Sequence, residues 1–129
     1  MNIYLDVDGV LLTKAGKETN FVKEFLKHIV NNHQVYWLTT HCNGDAMFTV
    51  RFLERFFDDE TIEIMKNILP TSWITLKTEA IDFSKPFLWF DDNVFNFEKE
   101  ILKKNNCLKS LIEINLEEDP DQLKKYFKI

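Results

Sequence analysis

The 129-residue sequence predicts an α/β fold, a three-layer doubly wound parallel sheet with helices on both faces. Short apolar runs alternate along the chain with stretches of helical periodicity, the pattern of strand–helix–strand crossovers. Polar and acidic residues follow directly on the strand-like runs. A parallel sheet gathers the carboxyl ends of its strands on one edge, where ligands of such folds bind.

The elements read in order as follows. Asn2–Leu5 is a strand, and Phe21, Val22, Phe25, Leu26, Ile29 and Val30 recur at helical spacing, predicting a helix over about 20–31 capped by Asn20. Val35–Thr39 is aromatic and β-branched, a second strand. Asp45 caps a helix carrying Met47, Val50, Leu53 and Phe57, and a further helix near Glu60–Leu69 is closed by Pro70. Ser72–Ile74 reads as a short third strand, and Thr78–Phe83 as one or two helical turns. Phe87–Phe90 is a continuous apolar run, as in strands buried on both faces. Val94–Lys104 is helical with Phe97, Ile101 and Leu102 on one side, Leu111–Ile114 is another strand, and Asp119-Pro120 opens a last helix burying Leu123, Tyr126 and Phe127.

Length predicts one domain over residues 1–129. A chain this long buries roughly two-thirds of its unfolded surface, so 45% hydrophobic residues suffice without a disulfide or structural metal. Cys42 and Cys107 lack CxxC spacing and are expected as free thiols of a cytoplasmic protein. No apolar stretch approaches membrane-span length, and the start of the sequence has no charged segment followed by an apolar one. The net charge of −5 argues against nonspecific nucleic-acid binding, which needs cations to neutralise phosphates, without excluding a local basic patch.

Three strand ends carry the chemistry: Asp6 and Asp8 in Asp6-Val7-Asp8-Gly9, Thr39 and Thr40 after Val35–Leu38, and Asp91 and Asp92 after Phe87–Phe90. An acidic turn is the plain alternative for the first, since Asp and Gly are ordinary turn residues. Several carboxylates on one sheet edge repel unless a cation lies among them, and hard oxygen ligands select Mg²⁺. Lys77 lies fourteen residues before Asp91 at a helix start, and Lys85 six residues before it in a loop. A carboxylate nucleophile, a metal, hydroxyls and a lysine are the parts that phosphoryl transfer requires.

In this order the residues resemble the four motifs of the haloacid dehalogenase (HAD) superfamily. Tyr4–Leu11 matches the first motif, Leu38-Thr39-Thr40 the second, Lys77 the third and Trp89-Phe90-Asp91-Asp92 the fourth. The resemblance implies a Rossmann-like core and a Mg²⁺-dependent phosphatase. Asp6 would be the nucleophile and a metal ligand, and Asp8 the general acid/base, giving its backbone carbonyl to the metal. Thr39, with Thr40 nearby, and Lys77 would bind phosphate, and Asp91 and Asp92 would ligate the metal.

Only about a dozen residues separate Gly9 from the first helix, and the Thr40–Lys77 interval holds little more than two helices, so a cap domain is not expected. By analogy with the superfamily, an open site suits a large or extended substrate. The second and fourth motifs are also similar to those of HAD domains in RNA-repair proteins and polynucleotide 3′-phosphatases, a reading that the acidic charge does not favour. The alternatives are a HAD-fold binding or regulatory module without turnover, and a receiver-like phosphoacceptor domain, against which the first-strand position of Asp6 speaks. His41 is read as a loop histidine with a possible substrate contact, Cys42 as a packed thiol, and Trp73 as the one tryptophan available for stacking on substrate.

Overall fold

Backbone alternation divides the apolar residues of each strand between two layers. In the computed structural model, which describes residues 1–129, β1 (Asn2–Leu5), β2 (Gln34–Trp37), β3 (Phe87–Asp91) and β4 (Leu111–Glu113) form one parallel sheet in the order β2-β1-β3-β4. Ile3, Leu5, Val35, Trp37 and Phe90 point to the larger core, while Tyr4, Phe87 and Trp89 point to the smaller. Helices α1 (Val22–Asn32), α2 (Ala46–Leu53) and α3 (Asp59–Met65) supply the first core. Helix α4 (Asn96–Lys104) contributes Leu102 to the second, beside the 3₁₀ helix Lys77–Ala80. The sheet thus has covered faces on both sides, the three-layer Rossmann-like arrangement the alternation predicts. No helix is long and apolar enough to cross a membrane.

β1 lies between β2 and β3, so the chain leaves it toward one edge and returns on the other side. The crevice between the carboxyl ends of β1 and β3 is therefore the topological switch point. Asp6 directly follows β1, and Asp91 is the last residue of β3. The strand thus runs one residue further than Phe87–Phe90, because Asp91 pairs with Glu113 of β4.

Three elements depart from the sequence reading. Ser72–Ile74 is not a strand; the chain instead makes a single parallel bridge to β2 at Leu69, with Leu69 N–H on the Val35 carbonyl and Trp37 N–H on the Leu69 carbonyl. Pro70 has no N–H and ends the ladder. The Thr71 hydroxyl then donates to the Trp37 carbonyl at 2.5 Å. At the start of α1 the cap position belongs to Phe21, at φ 66°, while the Asn20 amide donates to Asp121. The ring of Phe21 packs edge-on against Phe127, a tertiary contact that overrides the local capping preference. The last helical segment is a 3₁₀ helix, Gln122–Tyr126, which still buries Leu123.

Candidate active site

The turn after β1 is built on one carbonyl and one glycine. Asp6 N–H donates to the Phe90 carbonyl, so the residue is still held by the sheet, and Val7 N–H donates to Asp6 Oδ1 at 2.9 Å. The Val7 carbonyl then accepts from the N–H groups of Val10, Leu11 and Leu12. Gly9 has φ +79°, and a Cβ there would lie 2.1 Å from Asp92 Oδ2. Only glycine allows this turn to close against the Asp92 carboxylate.

Asp6, Asp91 and Asp92 each offer a carboxylate oxygen, all within 4.8 Å of one another. Lys77 Nζ lies 2.6 Å from Asp91 Oδ2 and 3.4 Å from Asp6 Oδ2. Asp91 and Asp6 are buried, and Asp92 is at the surface. Burial, followed by the charge of Asp91, pushes the Asp6 carboxyl up to about 8, against the opposing pull of Lys77 and the Val7 N–H. Burial and Asp91 also raise the Asp92 carboxyl. Burial works against the Lys77 charge, but Asp6 and Asp91 outweigh it and raise its value. A single ammonium thus faces three converging carboxylates. This oxygen-only, charge-rich donor set fits Mg²⁺.

The other residues singled out in the sequence fall into two groups. The Asp8 carboxylate stands outside the triad, exposed, with His41 Nε2 2.8 Å from its Oδ2. Thr40 is exposed and lines the same cavity as Asp6, Asp8, Lys77, Asp91 and Asp92, a space of about 330 Å³. Thr39 is fully buried beneath it, its hydroxyl accepting the His41 N–H at 3.2 Å. Lys85 is exposed in the loop before β3 and does not line the cavity. The Cys42 thiol is buried among Thr71 and Asp45 carbonyls, a packed group. Trp73 lines the cavity wall.

Three residues not singled out as site residues complete the arrangement. Glu98, 2% exposed, accepts Lys77 N–H on Oε2 (2.8 Å) and Phe95 N–H on Oε1 (3.1 Å), tying the lysine to the start of α4. Its signal in the sequence is a glutamate at the third position of a helix, which commonly reaches back to the helix start. Asn93 N–H donates to Asp91 Oδ1 at 2.9 Å. Phe52 stacks face-to-face on His41, with ring centroids 4.0 Å apart and planes 13° apart, fixing the imidazole beside Asp8. No local pattern marks that pair, because His41 and Asp8 meet only through the fold.

Comparison of the chain with protein-family models, with curated proteins and with solved structures returned no match.

Proposed function

We propose that the protein is a Mg²⁺-dependent phosphomonoester hydrolase of the HAD type that works through an aspartyl-phosphate on Asp6. The observation that carries this reading is the buried Asp6–Lys77–Asp91 contact, with Asp92 alongside, at the crevice where β1 and β3 diverge. A purely structural acidic turn has no use for two buried carboxylates around one lysine, since desolvating such a group costs several kcal/mol per ion.

Asp6, Asp91 and Asp92 would hold the metal, with the backbone carbonyl of Asp8. When bound, Mg²⁺ neutralises phosphoryl oxygens and keeps Asp6 ionised at neutral pH. In the first step a carboxylate oxygen of Asp6 attacks phosphorus. The bond from phosphorus to the ester oxygen breaks, and Asp8 gives its proton to the departing alkoxide. In the second step Asp8 takes a proton from water as the water oxygen attacks phosphorus, and the Asp6–phosphorus bond breaks to release phosphate. Lys77 supplies positive charge next to the attacked group, and Thr40, from the cavity wall, offers a hydroxyl to a phosphate oxygen. Thr39 is buried next to Thr40 and does not line the cavity; its hydroxyl accepts the His41 N–H and keeps an O–H to donate.

Asp6 and Asp8 occupy contrasting environments, one buried against charges and the other exposed against an imidazole. The buried carboxylate is the one beside the metal ligands, and the exposed one is free to reach the ester oxygen and water. Free Cys42 and Cys107 suit a reducing, cytoplasmic setting. A phosphatase assay with Mg²⁺ titration, comparing wild type with Asp6→Asn, tests the proposal: metal-dependent release of phosphate by the wild type alone supports it. Metal binding without turnover by either protein would favour a regulatory module instead.

A further inference from the structure

We infer that the ester preferred by this site carries a flat, uncharged ring and no second phosphate; the inference rests on the hydrolase proposed above. Asp8 must reach the ester oxygen to protonate it, so the leaving group lies in the cavity that Asp8 opens into. The neighbouring cleft of about 440 Å³, between the Thr13–Ala15 turn and the chain after β4, reaches Asp92 but contains none of Asp6, Asp8 and Lys77. The leaving group is therefore surrounded by the walls of the first cavity.

Two of those walls are aromatic, Trp73 and Phe95. Trp73 packs on the smaller core. Phe95 is 57% exposed, less than Phe48 and Phe97, but of these three only Phe95 lines the cavity. Leaving a phenyl ring in water forgoes its burial, so Phe95 does little for stability where it stands. Its backbone is nonetheless held firmly. One carboxylate, that of buried Glu98, takes the N–H of Phe95 on one oxygen and the N–H of Lys77 on the other. The backbone that carries Phe95 is thus set in position relative to the backbone of the lysine proposed to face the phosphoryl group. With its backbone held, the phenyl side chain has only two rotatable bonds, so it loses little freedom when a second ring stacks on it.

Charge excludes a polyanion. The lining includes Asp6, Asp8, Asp91, Asp92 and Glu98, with Lys77 as its one cation. Lys77 is already engaged by Asp6 and Asp91, and a divalent cation would serve the phosphate being transferred. A second phosphate would meet carboxylates without a partner cation. This speaks against a polynucleotide end, whose adjoining phosphodiesters need basic contacts.

The test is kcat/KM with Mg²⁺ for four esters: benzyl phosphate, glycerol 3-phosphate, a nucleoside 5′-monophosphate and the matching 3′,5′-bisphosphate. The leaving oxygens are all alkyl, so intrinsic reactivity is comparable, and the benzyl and nucleoside arms separate a ring next to the ester from a ring on a sugar. At least one ring ester is expected to exceed glycerol 3-phosphate by about tenfold, the scale of one aromatic stack. Phe95→Ala should remove most of that ratio and Phe95→Trp should retain it. Because Phe95 is more than half exposed, both variants should fold, which circular dichroism checks. Turnover with no ring preference, a preference that survives Phe95→Ala, or faster hydrolysis of the bisphosphate than the monophosphate would overturn this inference and leave the hydrolase standing. Absence of turnover on every ester would overturn both.

Discussion

Replacing Lys77 by methionine removes the one ammonium between two buried carboxylates and keeps most of the side-chain volume. Asp91, with a fully buried side chain, would be left with the Asn93 N–H, and Asp6 with the Val7 N–H. Removing one partner of a buried ion pair costs about 3–5 kcal/mol, because the remaining charge has neither water nor a counter-ion. For a chain of this size that corresponds to a fall in melting temperature of roughly 10–20 °C. The deficit depends on pH. The folded-state value of the Asp6 carboxyl lies above its ordinary 3.8, so its stabilising contribution is complete below about 3.8 and is lost as pH rises through about 8. Lys77 pulls that value down, so without it the carboxyl rises further and the charged form is more costly. The loss should be larger at about pH 9 than at about pH 7, because wild-type Asp6 ionises above about 8 whereas the variant's carboxyl, raised further, stays protonated. Urea or thermal denaturation of wild type and Lys77→Met at both pH values, in chelator so that no cation substitutes for the lysine, reads this directly. A variant as stable as wild type at the higher pH, or a deficit that grows on acidification, would refute the reasoning.

Other outcomes follow from the same geometry. Asp8→Asn should lower kcat by roughly 10²–10⁴-fold, the usual worth of general acid–base help. His41→Ala should lower kcat by about tenfold with little change in KM, since the imidazole acts through Asp8, and His41→Gln should recover part of that loss by restoring a donor. Mg²⁺ at about a hundred times its dissociation constant should stabilise wild type by about 2.7 kcal/mol, and Asp92→Asn by clearly less, as melting curves with and without chelator would show. Gly9→Ala should cost about 1–2 kcal/mol for the left-handed backbone alone. It should also weaken Mg²⁺ binding, because its Cβ collides with Asp92.

Legibility in the sequence followed the range of the interactions. β1 and β3 are buried runs flanked by acids, and burial on both faces leaves a continuous apolar signature that needs no tertiary information. The segment near Leu69 was harder, because the proline that marks the end of a helix also stops the strand after one bridge. Thr39 and Thr40 are neighbours of identical chemistry, and only the packed loop decides that one is buried and the other open to the cavity. His41 meets Asp8, and Glu98 meets Lys77, only across the fold and without a spacing to read, whereas the Phe95–Glu98 contact carries the three-residue spacing of a helix start. The acidic cluster was legible because a parallel sheet brings strand ends together whatever the loops do.

The central claim is that Asp6 carries the phosphoryl group during turnover. Rapid acid quenching during hydrolysis of a phosphomonoester with Mg²⁺, followed by mass spectrometry of the peptides, tests it most directly. A single added phosphoryl group on Asp6, absent in Asp6→Asn together with all turnover, is the predicted result. Turnover by Asp6→Asn, or a phosphoryl group trapped on any other residue, would contradict it.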